Sequence, residues 1–243
     1  MPLHFVLDEP TAAGAGDVVT LTGAEAHHAA TVRRVRVGED VTIGDGRGAW
    51  LTGECQSVAP REVVVRILAR SDVPRPRPRI VLVQALAKGD RDELAVQTAT
   101  ELGVDEIVPW QAARSVSRWD EAKAAKGRAR WAAIVREAAK QAHRAWLPEV
   151  AALQTTADLS HRAAAARVLV LEPTAETALT ALSFTTDDDI VLVVGPEGGI
   201  APEELDALTS AGATTVRLGD TVLRTSTAGP AALAIVSAEL GRW

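Results

Sequence analysis

"IVLVVGPEGGIAPEEL", residues 190–205, decides how this chain folds. Ile190 to Val194 is a run of hydrocarbon with no polar interruption, the pattern of a strand covered on both faces. It breaks into Gly195-Pro196-Glu197-Gly198-Gly199, a sharp turn of exposed backbone. Pro202 then suits the first position of a helix, and Glu203 and Glu204 suit its first turn. Strand, turn and helix in this order form one unit of an α/β sheet. Such sheets bind ligands at the C-terminal ends of their strands.

The same rhythm extends outward. Residues 80–86, 105–109, 167–171 and 214–218 read as strands. Helical spacing covers 90–102 (stopped by Gly103), 119–146 as one long helix or two (ended by Pro148), a short piece near 175–182, and 228–240. Strands alternating with helices predict an α/β domain with a mainly parallel sheet. The first part reads differently. In 1–72, short branched runs at 18–21, 41–43 and 63–68 are separated by Gly and Asp turns. "GDGRGAWLTGEC", 44–55, reads as a hairpin, and one helical patch spans 24–35. This predicts a small barrel. "VPRPRPR", 73–79, is an extended Pro/Arg linker.

Composition narrows the partners. The 243 residues are 47% hydrophobic and 24% charged. That is an ordinary globular balance. No apolar run reaches membrane length, and "MPLHFVLDEP" lacks the features of a signal peptide. With a single cysteine, Cys55, this points to a cytoplasmic protein without disulfides and with no membrane partner. The five histidines lack ligand spacing, so no metal is expected. The net charge of −6 argues against wholesale coating by nucleic acid. Yet residues 110–146 carry nine Lys and Arg against three acids, which is either a solvated helix face or a local polyanion-binding surface.

Three strand ends share a chemistry. "VLVLEPT" (168–174), "VLVVGPEGGI" (191–200) and "VRLGDTVLRTSTAG" (216–229) each leave an apolar strand into Gly, Pro or small polar residues. Together they predict a pocket walled by backbone, where a flat ring can lie against the main chain. A phosphate loop is excluded: there is no GxxxxGK[ST] or GxGxxG, and Glu203 and Glu204 place negative charge where a phosphate would sit. A nucleoside bearing a cation fits better, and S-adenosyl-L-methionine is such a molecule.

"VLVVGPEGGIAPEEL" followed by "VRLGDTVLRTSTAGPAAL" resembles the paired cofactor motifs of the SPOUT methyltransferases. More narrowly, the chain is similar to the ribosomal RNA small subunit methyltransferase E family. The likeness extends through "HHAATVRRVRVGEDVTIGDGRG" (27–48), "ALAKGDRDELAVQTATELGVDEIVP" (85–109), "RSV" (114–116) and "RWAAIVREAAKQAHRAWLPEV" (130–150). It implies a PUA-like barrel for RNA at 1–72 and a SPOUT domain at 80–243, with a deep trefoil knot near the C-terminus that binds the cofactor. The implied activity is methylation of N3 of a uridine in 16S rRNA, within free rRNA or the small ribosomal subunit. A cytoplasmic homodimer is also implied. Two departures stand out: Ser226 occupies a position where the family usually has Glu, and Thr221 one where it often has Arg.

Residue roles follow from the resemblance beside plainer readings. Leu171, Glu172, Pro173, Gly195, Gly198, Gly199, Ile200, Leu218, Gly219, Val222, Leu223 and Ser226 are expected around the cofactor, though several also suit plain core or turn positions. Arg224 is the expected catalytic cation, set to grip a uracil oxygen as charge develops, or the target phosphate. Glu197 is the expected catalytic acid: it either balances a sulfonium, accepts a proton, or simply stabilises a helix start. Arg33, Arg34, Arg36, Lys88, Arg114, Gln141 and Arg144 are the candidate RNA contacts. Glu101, an acid at a helix C-terminus, suggests a buried ion pair with an arginine. Two alternatives remain: another SPOUT RNA methyltransferase, including one acting on ribose, or a non-catalytic RNA-binding module.

Overall fold

The structure, a computed structural model, describes residues 2–185 and 188–243. The chain forms two compact units, Met1–Arg75 with Ala139–Leu147, and Pro76–Ala138 with Pro148–Trp243. The stretch 139–147, which the sequence places with a long helix, therefore groups with the first unit.

In the first unit, β1 (Leu3–Val6), β2 (Val18–Thr22), β3 (Asp40–Gly44), β4 (Ala49–Ala59) and β5 (Glu62–Asp72) form one sheet in the order β1-β3-β4-β5-β2. Only β1 and β3 pair in parallel. Alternation turns Val19, Leu21, Leu51, Cys55, Val65 and Ile67 inward against Phe5 and Ile43. Register shifts at Thr52/Gly53 and Cys55/Ser57 bend the long β4–β5 pair. The expected hairpin is the β3–β4 connection. Its turn is fixed by Asp45, whose carboxylate accepts the amides of Arg47 (2.8 Å) and Ala49 (3.2 Å). The expected helical patch is shorter than read: α1 (Gly23–His27) passes into a π-helical turn, His28–Val32. Lys140 is buried against Glu25 at 2.7 Å. That charge pair ties 139–147 into this unit.

The second unit carries a six-stranded, wholly parallel sheet. Its strands are β6 (Ile80–Ala85), β7 (Glu106–Trp110), β8 (Glu149–Val150), β9 (Arg167–Leu171), β10 (Ile190–Val194) and β11 (Thr214–Val216), in the order β11-β9-β10-β6-β7-β8. The connections contain α2 (Arg91–Glu101), α3 (Glu121–Gln141), α4 (Thr156–Ala163), α5 (Pro202–Ser210) and finally α6 (Thr225–Glu239). Leu82, Leu169, Leu192 and Val194 face a core built with Val96, Val135, Leu233 and Val236 of α2, α3 and α6. Val83, Val170 and Val193 face the opposite core with Leu159 of α4 and Leu208 of α5. Covering both faces explains why β10 is hydrocarbon throughout.

Boundaries moved where tertiary contacts outweigh local pattern. The short helix read near 175–182 is a single 3-10 turn, Leu179–Ala181. The C-terminal helix begins at Thr225 rather than at 228, with Arg224 as its N-cap. Glu101 is exposed and accepts a hydrogen bond from Gln97 at 3.1 Å, so the expected buried ion pair is not formed.

Candidate active site

Strand register brings the three bends together. Val216 pairs with Leu171, Leu171 with Val194, and Val194 with Gln84, so the last residues of β11, β9 and β10 stand in one row beside β6. The chain leaving each of those three strands must pass over the same edge of the sheet. A cavity of about 480 Å³ opens there. Its volume is within the range of small-molecule sites.

Most of the residues expected around a cofactor line this cavity: Leu171, Glu172, Pro173, Gly195, Gly199, Ile200, Leu218, Gly219, Val222 and Leu223. Two expected members do not. Gly198 turns away, its carbonyl accepting a hydrogen bond from Arg114 Nη1 at 3.3 Å. Ser226 is buried in the first turn of α6, one residue and roughly 100° of helix beyond the lining residue Thr225. The phosphate argument from Glu203 and Glu204 also needs correcting, because neither lines the cavity. Glu204 is buried and accepts the Ala113 amide (2.9 Å) and the Thr156 hydroxyl (2.7 Å). The acids that do face the cavity are Glu172 and Glu197.

The glycine turn has physical reasons for its composition. A Cβ on Gly195 would sit 2.7 Å from Ile200 Cγ1, and Gly199 has φ +73°. Both positions therefore disfavour any side chain. Glu197 anchors the turn from the side. Its carboxylate accepts the Lys88 amide at 3.1 Å and the Arg91 guanidinium at 2.8 Å. Burial pushes the Glu197 pKa up, but hydrogen bonds from its own and the Lys88 amides, together with Arg91, outweigh it and hold the carboxyl below its usual range.

Three arginines line the cavity. Arg91 is paired with Glu197, and Arg217 donates to the carbonyls of Ala175 and Glu176. Arg224 is exposed, and among the described residues its guanidinium has no hydrogen-bond or ion-pair partner.

Known proteins share this arrangement. A family model described as "RNA methyltransferase domain" matches residues 74–237, and one described as "RNA methyltransferase PUA domain" matches residues 21–68. Ribosomal RNA small subunit methyltransferase E of Mycobacterium tuberculosis is 47% identical over 233 residues, covering 94% of this chain and 89% of its own. The chain belongs to the ribosomal RNA small subunit methyltransferase E family. The Bacillus subtilis member is 33% identical over 227 residues, covering 90% of this chain and 89% of its own. A crystal structure of the Neisseria gonorrhoeae member bound to S-adenosyl methionine has a TM-score of 0.87 at 30% identity, covering 98% of each chain.

In this member of the family, the residues expected to meet RNA lie in both units. Arg33, Arg34, Arg36 and Gln141 are exposed and Arg144 is half-buried, all in the first unit. Lys88 and Arg114, both exposed, belong to the second, where each bonds the glycine turn. The basic stretch 110–146 is not an open stripe. Arg130 pairs with Glu93 (2.9 Å), Lys123 with Asp120 (3.3 Å) and Lys140 with Glu25 (2.7 Å), while Arg118 and Arg128 bond backbone carbonyls. Among the described residues no cluster of His, Cys, Asp or Glu is placed to hold a metal, and no helix is long and apolar enough to cross a membrane.

Sequence reasoning missed Arg91, Arg217 and Thr225 in the cavity wall. Arg91 left a signal: a cation at the first residue of α2 opposes the helix dipole, which favours acids there. Arg217 and Thr225 lie in the third bend, 216–229, which predicts the pocket but does not single them out.

Proposed function

We propose that the chain methylates N3 of a uridine in 16S rRNA, with S-adenosyl-L-methionine as methyl donor. The observation that carries the reading is the meeting of the glycine- and proline-bearing bends after β9, β10 and β11 in one cavity. The residues present fit that donor. Gly195, Gly199 and Gly219 leave main-chain groups accessible to a flat ring, and Glu172 supplies negative charge for a cationic group. When bound, the donor supplies an electrophilic methyl.

This chain's residues do the rest. Leu171, Pro173, Ile200, Leu218, Val222 and Leu223 exclude water around the donor, and Gly198 and Ser226 act one layer behind through the glycine turn and the start of α6. Arg224, which has no partner among the described residues, holds a uracil oxygen and stabilises the charge that develops as N3–H is lost. Glu197 is already ionised and occupied by Arg91 and the Lys88 amide, so it serves as a fixed charge that sets the turn while water carries the proton away. N3 lies on the pairing edge of uracil, so the target base must be unpaired or flipped out. Arg33, Arg34, Arg36, Lys88, Arg114, Gln141 and Arg144 contact the surrounding RNA. The protein acts in the cytoplasm on the small subunit or its rRNA, as a homodimer with the cofactor in a knotted C-terminal segment.

Methyl transfer to small subunits from a strain lacking the enzyme, followed by nucleoside mass spectrometry, tests the reading. 3-Methyluridine is expected. A ribose methyl or no product refutes it.

A further inference from the structure

Gln84 breaks the pattern of its strand. The other residues of β6, Ile80 to Val83 and Ala85, are apolar, and a leucine or methionine would fill the same volume. Gln84 is nonetheless fully buried, at the end of the row formed by Val216, Leu171 and Val194.

Its bonds are directional. Thr225 has one hydroxyl proton and donates it to the Gly195 carbonyl at 2.9 Å. Thr225 Oγ1 must therefore accept from Gln84 Nε2, also at 2.9 Å, which fixes the orientation of the amide. Nε2 gives a second bond to the Ala85 carbonyl at 3.1 Å, and Gln84 Oε1 is buried with no partner among the described residues. A stranded acceptor is unfavourable. What the fold gains for it is the relay Gln84–Thr225–Gly195, which joins the first residue of the glycine turn to the first residue of α6. Both Thr225 and Gly195 line the cavity, and the residue before Thr225 is Arg224.

We infer that Gln84 is a positioning residue for methyl transfer. Acting through Thr225, it sets the spacing between the Gly195 carbonyl on the donor side and Arg224 on the base side. The inference rests on the reading that this cavity holds the methyl donor.

Gln84→Met removes the hydrogen-bond donor while keeping the volume. Calorimetry with S-adenosyl-L-methionine and steady-state turnover on small subunits should show affinity and kcat each lowered about tenfold, the scale of losing a buried hydrogen bond and stranding its partner. Thr225→Val should reproduce this and Thr225→Ser should not. The double variant Gln84→Met with Thr225→Val should be no worse than either single one, because the two act in series. Gln84→Glu gives a readout that simple loss of packing would not. A protonated carboxyl donates to Thr225 and a carboxylate cannot. Its activity should therefore fall as pH rises through the raised pKa of a buried acid, a limb the wild type lacks.

Wild-type affinity and kcat in both Gln84→Met and Thr225→Val, or a Gln84→Glu pH profile parallel to wild type, overturns the relay alone. Wild-type protein that ignores S-adenosyl-L-methionine overturns the reading of the cavity, and the relay with it. If Gln84→Met does not fold, Thr225→Val and the Gln84→Glu profile decide the question.

Discussion

At its N-terminal edge the six-stranded sheet is closed by partly buried charge pairs, and at its C-terminal edge glycine and proline bends leave a cavity open. On the first edge, Glu106 is held by Arg79 (2.9 Å) and Arg162 (2.7 Å), and Asp105 by Arg242 (3.1 Å). Asp105 and Asp189 also accept the amides of Ile80 (2.8 Å) and Arg79 (2.9 Å) where the chain enters β6. Side chains thus satisfy the backbone there. On the second edge the chain departs through Gly195, Pro196, Gly199 and Gly219, which leave room for a cavity also lined by apolar and charged side chains. The lesson is a division of labour within one sheet. Ionic side chains lock the edge where strands begin, and glycine and proline bends leave space open where they end.

Four substitutions probe the two edges of the sheet. The largest effect is expected from Arg224→Ala: single-turnover methyl transfer should drop about 10²- to 10³-fold, the scale of losing an electrostatic donor to the transition state, with cofactor affinity held. Unchanged turnover would remove Arg224 from the chemistry. At the closed edge, Glu106→Ala should lower unfolding free energy by about 3 kcal/mol in urea titrations, since it leaves two partly buried guanidinium groups unpaired. The folded fraction should keep its kcat. A kcat loss beyond the unfolded fraction would show that the two edges are coupled.

Gly195→Ala comes next. Its Cβ would press on Ile200, so affinity for the methyl donor should fall about tenfold, within the usual range for overpacking. Unchanged affinity by calorimetry would show that Ile200 yields. The smallest effect belongs to Glu197→Gln. The folded pKa of Glu197 is lowered, so its ionic contribution is complete above its unfolded value and is lost only as pH falls through the lower folded one. Between about pH 6 and 8 the variant should change turnover less than about fivefold and leave the shape of the pH–rate profile unaltered. A lost acid limb would instead mark Glu197 as the base.

Much of the second unit was legible because its signals are local. Ile190–Val194 declares a doubly covered strand, and Pro202 with two acids declares a helix start. Ten of the twelve residues expected around the cofactor line the cavity, because they sit on bends that immediately follow such strands. The errors share a cause too. Ser226 was grouped with its neighbours in sequence, but once α6 starts at Thr225 adjacent residues point in different directions. Gly198 belongs to the same turn as Gly195 yet is taken up by Arg114, a partner 84 residues away. For the basic stretch the sequence leaves a solvated face and a polyanion surface both open, because it shows charges and not their partners, such as Glu93 opposite Arg130.

By itself, the sequence determined where strands end and backbone becomes exposed, since apolar runs, glycine and proline act through short-range sterics and burial. Only the tertiary structure decided which of the three cavity arginines has no partner among the described residues and why a glutamine is buried in β6. Arg91 and Arg217 are taken up by groups 106 and 41 positions away, and Gln84 meets Thr225 across 141 positions. Pairings at such separations are set by strand order and register, which no stretch of the chain states locally.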